Sequence, residues 1–490
     1  MKKIIYLLAV VLLSGCSNWL DVNTNPNTPS DVPVNLVLPS AEASVAVTVG
    51  GNMFNYGGFF AQYWGQAPEA NQYNAIDEYD IKNVFFDDDY QELYAGALVD
   101  LKSVRDKAKE NGDWGDYFAA TVLRAYTFQV IADLTDKTPY SEALGGSELA
   151  NPKYDDGQAI YEGVISELNN AMDSLTANST VTDNDMIFGG SLQQWIGFAN
   201  AMKLKLYMRE SYATDAHKAD VQKLISDNNF FTGDVTFDNF SDAPNKQNPW
   251  YATNISSDGL GTVNNIATYN IVTYLKANND PRLPVLYQKA PNPDDYAGNM
   301  PGYKSRSGAK NNDFSRPIVD PTQPVYMYTQ SELQLFIAEA ELRYNNDDAA
   351  AKAAYEKAID ANLALHGLST PGSDLYGTGQ PYAWNSSATS EQKLKTIMMQ
   401  KWVCLCMVNH IEAWSEIRRT HYPELSPAEG KDIADDPTLY TPGDMIDPVV
   451  NVLGKGQLIK RLPFSERAII RNTNAPEQVG VTTKVWWDKK

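Results

Sequence analysis

Apolar residues recur three and four positions apart along most of the chain, and tracts rich in Gly, Pro, Asn and Asp interrupt them. From Asp87 to Lys109, Tyr90, Leu93, Tyr94, Ala97, Leu98 and Leu101 share one helical face, and Asn111-Gly112 marks its end. The same period predicts helices over 117–134, 158–175 and 191–212. Ser331 and Gln334 stand at capping-box spacing ahead of Leu335, Phe336 and Ala340, so a helix is predicted over 331–344. Asn345-Asn346-Asp347 turns the chain into a second helix over 348–365, which carries Ala350, Ala354, Tyr355, Ala358 and Ile359 and closes at Gly367. A last long helical region covers 390–420. Loop-rich tracts fall at 50–83, 228–262, 287–328, 368–388 and 422–460, and loops of such length inside a compact body are usually functional.

The pair 331–344 and 348–365 places small residues and an aromatic in a helix–turn–helix, as a tetratricopeptide unit does, though with no clean repeat period. The predicted fold class is therefore all-α, with tetratricopeptide-like helix pairs and loop-rich insertions that form a ligand face. The N-terminus follows another pattern. Lys2 and Lys3 precede an unbroken apolar run from Ile4 to Leu13. As a helix that run spans roughly 15 Å, about half a bilayer core, which suits a signal peptide rather than an anchor. Leu13-Ser14-Gly15-Cys16 is similar to a bacterial lipobox, in which the cysteine is acylated and becomes the new N-terminus. The expected organisation is a lipoprotein signal peptide over 1–15, a lipidated tether over 16–33 rich in Asn, Thr, Pro and Asp, and one helical domain over 34–490.

The formal charge is −21, an acidic balance that repels nucleic-acid phosphates and anionic lipid and leaves a neutral ligand indifferent. The membrane is expected to be met through the lipid alone. Cys404 and Cys406, two apart in an apolar helical stretch, point to different sides and are read as packing residues. Asp87-Asp88-Asp89 is read as a helix start in preference to a calcium site. Trp414 with Arg418, and Glu416 with Arg419, stand at helical spacing for a stack and an ion pair, a structural role preferred to an anion clamp. The four histidines are scattered, and His366 sits at a helix end. No nucleophile elbow, zinc-protease helix or phosphate loop is present, so no catalytic residue, cofactor or metal is expected. A carboxylate pair for glycoside hydrolysis stays open, because only separation in space defines one.

Aromatic residues are numerous, with 28 Tyr, 16 Phe and 10 Trp, many of them beside Gly, Pro, Asn or Asp. A sugar ring offers an apolar CH face and a fringe of hydroxyls, so its site needs an exposed aromatic plane with amides, carboxylates or Arg nearby to fix the hydroxyls. Three loop clusters fit. YWGQAPEANQY (63–73) offers Trp64, Gln66, Asn71 and Tyr73; NPWYATN (248–254) offers Trp250 and Tyr251 beside Asn248 and Asn254; GQPYAWNSS (379–387) offers Tyr382 and Trp384 beside Asn385. The competing reading of each aromatic is a cap on the core beneath a loop.

A series of short signatures, in order, resembles the SusD/RagB family across essentially the whole mature chain. They are LDVNTNPNTP (20–29), TPYSEAL (138–144), NDPRLPV (279–285), QSELQLFIAEAELR (330–343), QKWVCLCMVNHIEAWSEIRRTHYPEL (400–425), RLPFSERAIIRNTN (461–474) and VWWD (485–488). The resemblance implies an all-α fold and a non-catalytic lipoprotein displayed on the outer membrane of Bacteroidetes. It implies an oligosaccharide ligand and, as partner, a SusC-like TonB-dependent β-barrel transporter that receives the cargo. A peptide-capturing lid of the same transporter type is the alternative it leaves, and ligand contacts in the loop after the first helices raise the 63–73 cluster. A glycoside hydrolase or a protein-binding repeat scaffold are the further readings.

Overall fold

A computed structural model describes residues 32–303 and 308–490. Cys16, the signal peptide and all of the tether before Val32 lie outside the described residues. The helices used below are α1 Val34–Thr48, α2 Phe54–Phe60, α3 Val99–Asn111, α4 Trp114–Thr135, α5 Gly157–Asp173, α6 Leu192–Arg209, α7 Lys218–Asp227, α8 Pro249–Asn254, α9 Tyr269–Ala277, α10 Gln330–Ala340, α11 Asp348–Leu365, α12 Ser390–Leu405 and α13 His410–Thr420. Strands are short and come in two-stranded ribbons. The fold is all-α in class, as the periodicity predicts.

Local chemistry explains the main elements. α4 is apolar on nearly every side and is buried from Phe118 to Thr135, so it forms a central post with α3, α5 and α6 around it. α11 is rich in good helix formers, is capped by Asp347 accepting from Ala350 N–H (2.9 Å), and ends at Gly367 with φ of +68°. It pairs with α10, and α10 also packs on α12. A helix does start before Leu335, but its cap is Thr329, extended and accepting from Glu332 N–H, while Ser331 is already helical. The region 390–420 is two helices: Met407 takes φ of +58°, and Asn409 restarts the chain by capping α13 through Glu412 N–H.

The tract from 50 to 83 opens as helix, not loop. α1 continues through a wider turn over Val49–Met53 into α2, and this stretch, Val34–Phe60, is long and apolar enough to span a bilayer. Its residues Val37, Leu38, Ala41, Val45, Met53, Phe54, Phe59 and Phe60 instead join the largest core cluster, which extends to Trp487. Two glycines allow that packing. A Cβ at Gly57 would sit 2.9 Å from the His410 backbone, and one at Gly58 would sit 2.3 Å from the Trp64 ring. A second cluster, with Leu335, Tyr355, Ile359, Leu363 and Tyr382, fills the space between α10, α11 and α12.

Ion pairs run through the centre. Arg209 of α6 meets Glu412 (2.5 Å) and Glu416 of α13, Lys205 meets Glu332 of α10 (2.6 Å), and Lys401 of α12 meets Glu416 (2.9 Å). Arg419 grips Glu339 and Glu416 together (2.5 and 2.6 Å), and the Arg418 guanidinium lies 3.9 Å from the Trp414 ring. The stack and the pair expected within α13 are both present, joined to partners from other helices.

Glu42, on the buried face of α1, has no ion pair among the described residues. Burial, and then the charge of Asp185, pushes its carboxyl up to about 9, while Met186 N–H donates to it at 2.8 Å. Unfolded, the group ionises near 4.5. The folded state thus holds a proton that the unfolded chain has released. Its contribution is complete below pH 4.5 and declines as pH rises toward about 9, on the order of 1.4 kcal/mol per pH unit. Glu42→Gln keeps an acceptor for Met186 and removes the titration. Urea unfolding across this window is expected to give the variant a flatter pH dependence and a higher midpoint than the parent near its alkaline end.

Candidate functional site

The first two loop clusters meet at one place. After α2 the chain turns at Gln62, with φ of +55°, into β1 Trp64–Gln66, which pairs antiparallel with β2 Asn265–Ala267. Trp64 folds back over Gly58 and donates its Nε1–H to the Asn55 carbonyl (2.9 Å). α8 begins at the Asn248 cap, which accepts from Trp250 and Tyr251 N–H, with Pro249 in the first turn. Trp250 donates Nε1–H to Asn55 Oδ1 (3.0 Å), and its ring stacks on Trp64 at 4.7 Å and 17°. Asn55 Oδ1 also accepts from Asn265 Nδ2 (3.0 Å), so one buried amide ties α2, α8 and β2 together.

This geometry corrects the expectation of exposed ring faces at Trp64 and Trp250, which are 0% and 1% exposed. Each ring covers the other, because the pair gains more by closing the core than by facing water. Gln66 is also buried: its Nε2 donates to Ala67 O and Asn264 Oδ1, and its Oε1 accepts from Tyr73 N–H. It clamps a loop and has no polar atom left for a sugar. Asn71 is exposed. Tyr73 is half-buried and donates its hydroxyl to Asn254 Oδ1 (2.6 Å), and burial pushes that phenol up to about 12. Tyr251 is half-buried on the same short helix.

Above the Trp pair lies a cleft of about 290 Å³. One wall is α8 and the segment after it, with Asn254, Ile255 and Ser257; another is Thr262, Val263, Asn264 and Asn265 leading into β2. The third comes from β3 Tyr287–Gln288 and β4 Arg316–Pro317, an antiparallel ribbon that sets Gln288 opposite Arg316. Ala267 N–H donates to Ser315 O (2.8 Å) and locks the two ribbons side by side. Trp250 contributes to the floor, and Ile255, 43% exposed, is the apolar rim. Among the described residues the lining is thus mostly amide and hydroxyl, with no Asp or Glu.

The family model for SusD-like proteins, described as starch-binding and associating with the outer membrane, matches residues 26–440. The chain belongs to the SusD-like family. Its fold is also that of solved structures. A chitin-binding SusD homolog from Flavobacterium johnsoniae is 20% identical, with 93% of this chain and 98% of that one covered at a TM-score of 0.73. A SusD homolog from Bacteroides thetaiotaomicron is 21% identical, with 94% and 100% covered at 0.72. One from Bacteroides uniformis is 20% identical, with 93% and 99% covered at 0.71. No curated protein sequence matches the chain.

In this SusD-like chain the third aromatic cluster stands apart from the cleft. Tyr382 is buried in the second core cluster and donates its hydroxyl to Asp280 Oδ2 (2.8 Å), which corrects its expected exposure. Trp384 is half-buried, donates Nε1–H to Asp348 at the start of α11 (3.1 Å), and leans on Tyr355. Both serve the helix-pair side and neither lines the cleft. The lining residues that a search for aromatics passes over are Ile255, Ser257, Thr262, Asn264, Gln288 and Arg316. Their signal in the sequence is position alone, since they fall within or beside the loop tracts 228–262 and 287–328.

Proposed function

We propose that this SusD-like protein captures an oligosaccharide in the cleft above the Trp64–Trp250 pair, without catalysis, and hands it to a SusC-like TonB-dependent β-barrel transporter. Acylation of Cys16 would hold it at the cell surface by lipid alone. The observation that carries the reading is the convergence of amides and hydroxyls from three segments around one apolar rim: these groups can fix ring hydroxyls, and Ile255 meets the apolar ring face in place of the expected aromatic plane. The family's description as starch-binding and outer-membrane-associated supports it. The absence of a carboxylate from the lining favours binding over two-carboxylate hydrolysis at this cleft. Tyr73 would act through Asn254, holding the amide in place, and Asn71 and Tyr251 would extend the site on its outer side.

The test is a glycan array on the protein beginning after Cys16, beside Ser257→Trp. Ser257 is exposed and lines the cleft, so an indole there fills the cavity without entering the core. The parent is expected to bind at least one glycan class, and Ser257→Trp to lose at least about tenfold in affinity at unchanged unfolding midpoint. Binding that survives the substitution would move the site elsewhere. Binding to peptides and to no glycan would favour the peptide-capturing lid.

A further inference from the structure

Among the described residues around the cleft, the surface lysines face acids: Lys310 pairs with Glu69 (3.2 Å), Lys276 with Asp295 (2.6 Å) and Lys289 with Asp294 (3.9 Å). Arg316 has no such partner among the described residues. Its guanidinium has five N–H donors. Among the described residues it makes one hydrogen bond, from Nη2 to the neutral amide of Asn312 (2.9 Å), and its Nε is buried without an acceptor. In a chain of net charge −21, an arginine left without a carboxylate in the wall of an acid-free cleft is a local exception to the overall field.

Arg316 lies on β4 opposite Gln288 of β3, with its side chain half-buried and Asn312 accepting from Nη2. An under-satisfied guanidinium offers parallel donors that match the oxygens of a carboxylate or a sulfate, and such charge-assisted bonds are about twice as strong as neutral ones. Asn254, Asn264, Gln288, Ser257 and Thr262 supply the donors and acceptors for ring hydroxyls around it. The acidity of the whole body is screened over about 8 Å in physiological salt, whereas contact with Arg316 acts at hydrogen-bond range, so the cleft can favour a charge that the body as a whole repels.

We propose that the cleft selects a saccharide bearing an acidic group, a uronate carboxylate or a sulfate ester, seated on Arg316. The proposal rests on the reading of the cleft as a saccharide site. Titration calorimetry would compare an oligogalacturonate, the same oligomer with its carboxyls reduced to alcohols, and a sulfated galactan oligomer, against the parent, Arg316→Gln and Arg316→Lys. One of the acidic oligomers is expected to bind the parent at least about tenfold more tightly than the neutral one, the two acidic arms telling carboxylate from sulfate. Arg316→Gln is expected to erase that preference, weakening acidic binding at least about tenfold more than neutral binding at an unchanged unfolding midpoint, and Arg316→Lys to restore only part of it. Equal binding of acidic and neutral oligomers by the parent would overturn the proposal, as would equal loss of both in Arg316→Gln. If neutral glycans alone bind on the array, the acidic preference fails and saccharide capture stands; if no saccharide binds at all, the capture reading fails with it.

Discussion

Arg419→Ala is expected to cost about 3–5 kcal/mol of folding stability, the range for breaking a buried ion pair by removing one partner. Arg419 is fully buried and spends its guanidinium on Glu339 (2.8 and 2.5 Å), Glu416 (2.8 and 2.6 Å), the Met208 carbonyl and Ser211 Oγ. Burial alone would raise the carboxyls of Glu339 and Glu416. The guanidinium overrides it in both, helped by Lys401 and Arg209 at Glu416, and both lie below their ordinary value. Truncation leaves two carboxylates facing each other in the core, Glu339 with Arg343 (3.0 Å) and Glu416 with Arg209 and Lys401 as their remaining cations. The sign of the pH dependence follows. Groups held below their ordinary 4.5 give stability that is present above it and lost as pH falls, so the gap between parent and variant should narrow in acid. Urea unfolding read by tryptophan fluorescence checks both points. Adding Glu339→Gln to Arg419→Ala should recover part of the loss, since it removes one of the stranded charges. Arg467→Ala, at a half-exposed pair with Asp88 (2.7 Å), should cost no more than about 1 kcal/mol. Equal losses at Arg419 and Arg467 would refute the central role of the network.

That network marks where the sequence stops being legible. The spacing of Glu416 and Arg419 within one helix points to their pairing, and the pair forms. Nothing in the spacing points to Glu339 or Arg209, because those contacts join residues 80 and 207 positions apart along the chain. Charged residues such as Lys205, Glu332 and Lys401 read as a solvated face in any local window, yet they are buried and paired, Lys205 with Glu332 and Lys401 with Glu416. Helices with one clear apolar stripe, such as α5, are legible for the opposite reason, since burial there follows local period. The stretch 50–60 fails as a helix in the sequence because its glycine pairs look like loop; Gly57 and Gly58 let α13 and Trp64 approach, and Gly50 lets Val325 approach. The site divides the same way. Searching for aromatic planes leads to rings that close the core: Trp64, Trp250 and Tyr382 are drawn inside, only the 248–254 cluster reaches the cleft through Trp250 and Asn254, and the rest of its surface is built largely from small polar residues that carry no periodic signal.

Trp250→Ala is expected to remove about 3–5 kcal/mol of stability and the cleft with it. The indole supplies one face of the stack with Trp64, an edge against Phe54 (6.2 Å, 79°), a donor to Asn55 Oδ1 and part of the cleft floor. Truncation leaves a cavity beneath α8 and frees Asn55 and Asn265 to reorient, so the walls at Asn254 and Asn265 lose their support. Saccharide affinity should therefore fall together with the urea midpoint. Trp250→Phe keeps an aromatic ring and loses the N–H, and about 1–2 kcal/mol is expected for that hydrogen bond. Trp384→Ala is the control. Its ring is half-buried on the far side, bonded to Asp348, and its removal should cost clearly less and leave cleft binding at the parent level. If Trp384→Ala abolished binding while Trp250→Ala merely destabilised the fold, the ligand would sit against the helix pair α10 and α11, and the convergence of α8, β2 and the β3–β4 ribbon would be a device for closing the core alone.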